Sequence, residues 1–418
     1  MIILSWTWFS VLSVVSMVWL IRHYHITIAQ RLRPPIHSGM YRDPAGRLPS
    51  ITWLVAAKDE ESNIESCLQS LTSQDYPDLQ IIAINDRSED ETGRIIDRLA
   101  GDDDRLTAVH VDRLRQGWFG KNNAMREGVE RAGGEWFCFT DADCVQTSKR
   151  SLTVAMQYAL EHELDFLSVL PTFEARTFWE RVIQPACGGI MMIWFNPMKV
   201  NDPRRSNAYA NGAFMLMRRS CYDAIGGHEP VKTEVNEDMH MARRAKQAGQ
   251  RLVVVSNEDL YRVRMYASLA EIWSGWSRIF YGCFESYRRL ILSSLAVLVF
   301  TLVPWLSLIA LVGIESVGAA MAVAGAWLPA VAAVACLAQM SVMARFYALS
   351  RIHPLYAALY PIGAIIGLGT LVNAMRRLHG RKTTTWRGTT YRGDQVESQP
   401  ETALPIEPKA TSPDPSLR

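Results

Sequence analysis

The chain has 418 residues, 49% of them hydrophobic, and a formal net charge of +2 from 44 basic and 42 acidic side chains. That balance leaves no footprint for nucleic acid. Seven cysteines without a Cys-x-x-Cys pair, and nine histidines at no zinc-completing spacing, argue against a disulfide scaffold or a zinc site. A mean hydropathy of −0.01 is high for a purely soluble enzyme, so the distribution of the apolar residues matters.

They cluster at both ends. Ile2 to Ile21 is an uncharged run of about 20 residues, the length a helix needs to cross a hydrocarbon core. It lacks a basic leader and a small-residue cleavage site and is followed by Arg22, Arg31 and Arg33. An uncleaved transmembrane anchor is therefore expected over 1–22, with its end on the cytoplasmic side, and a linker over 23–48. Residues 49–288 have ordinary soluble composition. Strand-like runs at Ser50–Ala57, Gln80–Asp86 and Thr107–Val111 alternate with helical patterns at Ser62–Leu71, Thr92–Leu99 and Asn122–Ala132. This alternation predicts an α/β domain, Rossmann-like, with a mainly parallel sheet and a binding crevice at the strand ends.

Residues 289–376 hold three further apolar stretches, Leu290–Ile314, Val317–Ala344 and Leu355–Met375, interrupted by Pro304, Pro329 and Pro361. Three spans after a cytoplasmic domain would leave Arg376, Arg377, Arg381 and Lys382 outside, against the positive-inside tendency. One segment is therefore expected to be re-entrant or interfacial, with Val317–Ser350 the one expected to bend. Residues 377–418 read as a basic stretch followed by a tail, disordered from about Asp394 by its Pro, Ser, Thr and Glu content.

The chemistry concentrates at the strand ends of the α/β domain. The apolar run Trp136–Thr140 ends in Asp141-Ala142-Asp143, two carboxylates at strand spacing that suit a Mg²⁺ or Mn²⁺ ion shared with substrate phosphates. Acidic turns follow the first two strands, at Asp59-Glu60-Glu61 and Asp86-Arg87-Ser88-Glu89-Asp90. Gly117-Trp118-Phe119-Gly120-Lys121 sets a lysine just before a helix, where its ammonium and the helix amides suit a pyrophosphate. Glu237-Asp238 opens another helical pattern; an acidic pair there is also an ordinary cap.

These residues resemble the family 2 glycosyltransferases with the GT-A fold, in particular the membrane-bound group of ceramide glucosyltransferases and bacterial carotenoid- or hopanoid-associated glycosyltransferases. The marks, in family order, are Ala57-Lys58-Asp59-Glu60-Glu61, Asp86, Gly117–Lys121, Asp141-Ala142-Asp143, Asn211-Gly212-Ala213-Phe214, Gly226-Gly227-His228 and Glu237-Asp238. The resemblance implies an inverting transferase using a nucleotide-diphosphate sugar, expected to be a UDP-sugar. It assigns Ala57, Glu60, Asp86, Lys121, Asp141, Asn211 and Gly212 to the donor. Asp143, with Asp141, is assigned to the divalent cation and Asp238 to the general base, Glu237 being the fallback.

The Gln-x-x-Arg-Trp motif of many membrane relatives is replaced here by Trp273-Ser274-Gly275-Trp276-Ser277-Arg278, whose Trp273, Trp276 and Arg278 are candidate acceptor or phosphate contacts. Its absence favours transfer of one or a few sugars over long-chain polymerisation. Flanking spans favour a lipid acceptor, an alcohol of isoprenoid, carotenoid, hopanoid or sphingoid type or a polyprenyl phosphate, at a bacterial inner membrane. Ala186–Lys199 is a candidate interfacial or acceptor-guiding segment, with a plain core helix as the other reading. Two other functions are open to the same residues: synthesis of a short cell-surface polysaccharide, and a nucleotide-sugar-binding membrane scaffold without turnover.

Overall fold

The computed structural model describes residues 2–44, 46–315, 327–381 and the segments 384–386, 389–392 and 395–398. The chain opens with α1 (Ile2–Leu32), which runs past residue 22 into the stretch read as a linker. The alternation that follows is β1 (Ile51–Ala57), α2 (Ile64–Thr72), β2 (Leu79–Asp86), α3 (Thr92–Asp102), β3 (Leu106–Val111), α4 (Gly120–Val129) and β4 (Trp136–Asp141). Next come β5 (Cys144–Gln146), α5 (Ser151–Glu161), β6 (Phe166–Leu170), β7 (Thr172–Phe173), α6 (Phe178–Trp194) and α7 (Pro197–Val200). The domain closes with β8 (Met215–Arg218), α8 (Arg219–Ala224), α9 (Glu237–Gln247), β9 (Leu252–Ser256) and β10 (Tyr261–Val263).

Seven strands form the central sheet in the order β3-β2-β1-β4-β8-β6-β9. Its strands are near-continuous apolar runs because helices cover both faces; Trp53, Leu54 and Val55 of β1 are fully buried. One strand departs from the expected parallel arrangement: β8 runs antiparallel to both β4 and β6. The reversal has a chemical consequence. It brings the residues preceding β8, Asn211 and Gly212, to the same sheet edge as Asp141 at the end of β4, and Thr140 Oγ1 donates to the Ala213 carbonyl at 2.7 Å across that junction. All seven cysteines are buried and free.

After the domain come α10 (Leu269–Phe284), α11 (Tyr287–Ala296), α12 (Val303–Glu315), α13 (Trp327–Leu349) and α14 (Tyr360–Arg376). Among the described residues, four helical segments are long and apolar enough to cross a membrane: Ser5–Leu32, Tyr287–Val312, Trp327–Leu349 and Pro354–His379. Between α11 and α12 the backbone widens into a π turn over Val297–Leu302. Pro304 has no N–H to offer the Phe300 carbonyl one turn back. That carbonyl accepts instead from Trp19 Nε1 (2.7 Å) and Gln339 Nε2 (3.3 Å), so neighbouring helices satisfy what the proline frees.

The segment Pro354–His379 runs alongside α6 of the domain and alongside α10. Before it, Arg351 lies 3.9 Å from Glu258 of the domain, and Arg181 of α6 donates to the Tyr356 hydroxyl at 3.1 Å. At its far end, Asn373 Nδ2 donates to Ser277 Oγ of α10 (3.0 Å), and the Tyr287 hydroxyl donates to the Met375 carbonyl (3.0 Å). Small residues allow α14 to lie flush on α6 and α10. A Cβ on Gly363 would sit 2.4 Å from the Val182 carbonyl, and one on Gly369 would sit 2.5 Å from the Trp273 ring.

The expectation that Val317–Ser350 would bend falls partly on residues 316–326, which lie outside the described residues; Trp327–Leu349 is one helix. The tail beyond residue 394 lies outside the described residues except Gln395–Ser398. That tetrapeptide is not disordered but pairs with Thr389–Arg392 in a small antiparallel sheet, where Thr389, Thr390 and Tyr391 have high strand propensity.

Candidate active site

The strand ends converge on a cavity of about 540 Å³. Ala57 at the end of β1, Glu60 beyond it, Asp86 at the end of β2, Asp141 and Asp143 around the end of β4, and Asn211-Gly212 before β8 all line it. So do Lys121 in the first turn of α4 and Glu237-Asp238 in the first turn of α9. Every donor, metal and base residue expected from the sequence therefore meets in one space.

At its centre Lys121 bridges the two acidic clusters. Its Nζ lies 2.6 Å from Asp141 Oδ1 and 2.7 Å from Glu237 Oε1. Burial by itself would lower the lysine pKa, but these two carboxylates hold it well above the ordinary value. Gly212 forms the floor between them. A Cβ there would stand 3.2 Å from Lys121 Nζ, 3.5 Å from Asp141 Oδ2 and 3.6 Å from Asp238 Oδ2, so only a glycine leaves this space polar and open.

Asp238 is fixed by backbone donors, accepting from Gly212 N–H (2.9 Å) and Met239 N–H (2.7 Å). Burial, and then the charge of Glu237, pushes its pKa up to about 7, against the lowering effect of Lys121. A carboxylate poised there exists in both protonation states near neutrality, which is what a general base needs.

Asp143 is likewise pushed up to about 7, by burial and then by the charges of Asp141 and Glu60. Such a buried, under-neutralised carboxylate fits a divalent cation. Among the described residues no third His, Cys, Asp or Glu joins Asp141 and Asp143 in a ligand cluster. Two protein carboxylates suit an ion whose remaining ligands come from a diphosphate and water rather than a closed protein cage.

At the end of β2, Asp86 is only 1% exposed and receives a bidentate hydrogen bond from its neighbour Arg87, at 2.8 and 3.1 Å. The carboxylate expected to meet a base is thus already oriented, with lone pairs left over. Glu60 Oε2 accepts from Asn63 Nδ2 at 2.8 Å, and Lys58 Nζ donates to the Arg87 carbonyl at 2.8 Å, tying the first two acidic turns together.

The candidate acceptor residues separate. Arg278 lines the cavity. Trp276 also lines it, but its indole N–H is engaged by Gln184 Oε1 at 2.7 Å. Trp273 is not in the lining and packs on Gly369 of α14 instead. The Ala186–Lys199 stretch divides between α6 and α7; Ala186, Cys187 and Ile190 are core, and Met191 reaches the cavity.

Two residues support the site from behind, of which only His228 lies in a stretch that the resemblance marks. Asn122, next to Lys121, donates to the carbonyls of Val231 (2.7 Å) and Glu234 (2.9 Å), holding the loop that leads to Asp238. His228, whose pKa burial and then the charge of Lys121 push down to about 3, has its Nδ1 2.7 Å from the Tyr222 hydroxyl.

The family model described as glycosyl transferase family 2 matches residues 52–226, and that described as glycosyl transferase family group 2 matches 141–365, more than half of the chain. The chain is 29% identical over 233 residues to 4,4'-diaponeurosporenoate glycosyltransferase of Staphylococcus aureus strain USA300, covering 55% of this chain and 60% of that protein. The counterpart in the bovine strain RF122 / ET3-1 is 32% identical over 191 residues, 45% of this chain and 49% of that one. The chain thus spans less than two thirds of these curated relatives. In fold it is similar to a mannosyltransferase from Pyrobaculum calidifontis, solved with GDP-Man and Mn²⁺, with a TM-score of 0.51 and 18% identity over 90% of this chain and 99% of that one. With the GT-A sheet, the acidic strand ends and a model match over most of its length, the chain belongs to the family 2 glycosyltransferases.

Proposed function

We propose that the chain is a membrane-bound, metal-dependent, inverting glycosyltransferase that moves one hexose from a UDP-sugar to a hydroxyl of a lipid acceptor, of isoprenoid or carotenoid type, at the cytoplasmic face of a bacterial inner membrane. The observation that carries this reading is the shared cavity. Asp143 and Asp238 open into one space, and its other wall, built from α6 and α10, packs against apolar helices. The Staphylococcus relative named for diaponeurosporenoate supports the acceptor class.

In this reading Asp238 takes the proton of the acceptor hydroxyl while its carboxylate stays fixed by the Gly212 and Met239 amides. The acceptor oxygen forms its bond to the anomeric carbon on the face opposite the departing diphosphate, which leaves with the electrons of the old C–O bond, so the configuration inverts. Lys121 stabilises the charge that builds on the leaving group. A divalent cation held by Asp143 and Asp141 would add further positive charge there. Ser5–Leu32, Tyr287–Val312 and Trp327–Leu349 act as spans, and Pro354–His379 lies against the domain. The basic residues after α14 then stay on the cytoplasmic side, in keeping with the positive-inside tendency.

Purified protein in lipid nanodiscs, given UDP-sugar, Mg²⁺ or Mn²⁺ and an isoprenoid acceptor panel, should release UDP and form a glycolipid of inverted anomeric configuration. Asp143→Ala and Asp238→Ala should each stop this. Normal turnover in either variant removes the assignment.

A further inference from the structure

Asp238 sits in the first turn of α9, so the position of that helix decides where its carboxylate points. Two groups of contacts tie α9 to the end of α10. Asn236, at the N-cap of α9, does not cap the helix with its side chain; its Nδ2 donates instead to Cys283 Sγ at 2.9 Å. Gly282 leaves room for that amide, since a Cβ there would stand 2.8 Å from Asn236 Cγ. Met239, next to Asp238, belongs to the same apolar cluster as Phe280, Cys283 and Phe284.

The second group is charged. His240, two residues after Asp238, has its Nε2 2.8 Å from Glu285 Oε1 and 3.2 Å from Glu234 Oε2, and Arg243 Nη2 donates to Glu285 Oε2 at 3.0 Å. Both oxygens of Glu285 are thus engaged by side chains of α9. Burial alone would raise the Glu285 pKa, but hydrogen bonds from His240 and then Arg243 hold it below the ordinary carboxylate value.

The backbone makes the choice of residue informative. Glu285 caps α10 in the left-handed region, at φ 53°, a conformation that helix ends ordinarily give to glycine. Shortly after its own end, α9 has Gly249 at φ 74°. A glutamate at such a position carries strain that glycine would not, and what it adds is a grip on the helix of Asp238. Two residues later begins the apolar segment Tyr287–Val312.

We infer that Glu285 is a positioning residue for Asp238: bound to His240 and Arg243, it fixes α9 against the cavity wall formed by α10, from the point where the chain leaves the domain for the membrane. This deepens the reading of Asp238 as the base and rests on it. With the contact made, the base keeps one distance from the wall along which a lipid hydroxyl arrives. Without it, that end of α9 is left to Asn236 and apolar packing.

The test is Glu285→Gly in the nanodisc transfer assay, with kcat, donor KM and melting temperature measured together. The substitution removes the backbone strain as well as the contact, so the melting temperature should hold while kcat falls about 10- to 100-fold, the range expected for a small displacement of a catalytic group. Donor KM should hold, because Lys121, Asp141 and Asp143 stand on other elements. His240→Ala should reproduce part of the loss, and Glu285→Gly added to it should cost less than in the parent, since the two residues act through one contact. His240→Gln, whose amide nitrogen can still donate to Glu285, should recover activity relative to His240→Ala.

An unchanged kcat in Glu285→Gly beside an inactive Asp238→Ala would overturn the proposal and leave the base reading intact. So would a rise in donor KM with kcat retained, which would place Glu285 on the donor side, or a loss of kcat that tracks a lower melting temperature and that His240→Gln shares in full with His240→Ala. Normal turnover in Asp238→Ala would remove both.

Discussion

Replacing Glu237 with glutamine tests the electrostatics of the base most directly. Glu237 is 3% exposed and bound to Lys121 at 2.7 Å, and its charge helps to raise the Asp238 pKa to about 7. A Cβ on Gly212 would touch both Lys121 Nζ, at 3.2 Å, and Asp238 Oδ2, at 3.6 Å, so those two charges stand at most about 7 Å apart. At an effective dielectric constant of about 20, unit charges at ~7 Å interact by ~2.4 kcal/mol. Glu237→Gln removes a repulsion felt by ionised Asp238 and uncovers the attraction of Lys121, and both changes favour the carboxylate. The Asp238 pKa should therefore fall by about 1 to 2 units.

The assay is kcat/KM for the acceptor at saturating donor between pH 5 and 9. The base works ionised; its pKa is about 7 without donor and higher when a bound diphosphate draws on Lys121, so the parent should gain activity as pH rises above 7, and the variant should reach its plateau at a lower pH. A limb that stays in place, or moves upward, would refute the reasoning that Asp238 is the base under control of Glu237.

Three other outcomes are expected. The folded pKa of Asp143 is raised from 3.8 to about 7, so the folded state binds more protons than the unfolded state between those values and stability falls as pH rises across that window. Mn²⁺ should therefore raise the melting temperature more at pH 8 than at pH 5.5, and Asp143→Asn should erase that difference in thermal-shift measurements. Gly212→Ala pushes a methyl against a lysine already held by two acids; kcat should drop about 100-fold with an unchanged circular dichroism spectrum. Gly363→Leu collides with the Val182 carbonyl, 2.4 Å from where its Cβ would lie, whereas Gly188 has open space around it. The first should cost about 1–3 kcal/mol, seen as a lower melting temperature in detergent, and Gly188→Ala should melt like the parent.

That the acidic residues and Lys121 would share one cavity was legible because their signals are local. Asp141 and Asp143 follow a strand that is apolar throughout, Lys121 sits at the start of a helix, and Glu237-Asp238 opens another. Each can be read from a window of about ten residues, since strand ends of an open α/β sheet are where ligands bind. The contacts that organise these residues are not local. Gly212 reaches Asp238 only because β8 runs backwards, and no periodicity announces the direction of a four-residue strand. Asn122 holds carbonyls more than 100 positions away in sequence. Hydropathy gave the length of the last apolar segment but not its path. The path depends on where Gly363 and Gly369 permit close approach and on which polar groups its ends meet. Trp273, expected beside Trp276, packs on Gly369 instead of lining the cavity, a contact that depends on where α14 lies and not on spacing within α10.

In the proposed mechanism the bridging position of Lys121 links donor arrival to the readiness of the base. Without donor, its ammonium is shared between Asp141 and Glu237 and lowers the proton affinity of Asp238. A diphosphate between Lys121 and Asp143 competes for the same ammonium and brings negative charge of its own. To the extent that Lys121 turns toward the phosphates, Glu237 is left less neutralised and Asp238 holds a proton more tightly. The base then becomes stronger in the complex that has a sugar to transfer and weaker in the one that does not, which limits proton abstraction when no donor is bound. Glu237 is the residue through which that change must pass. Its replacement should therefore bring the pH limb measured at saturating donor close to the one measured under donor-limited conditions, a convergence that an ordinary helix cap would have no reason to produce.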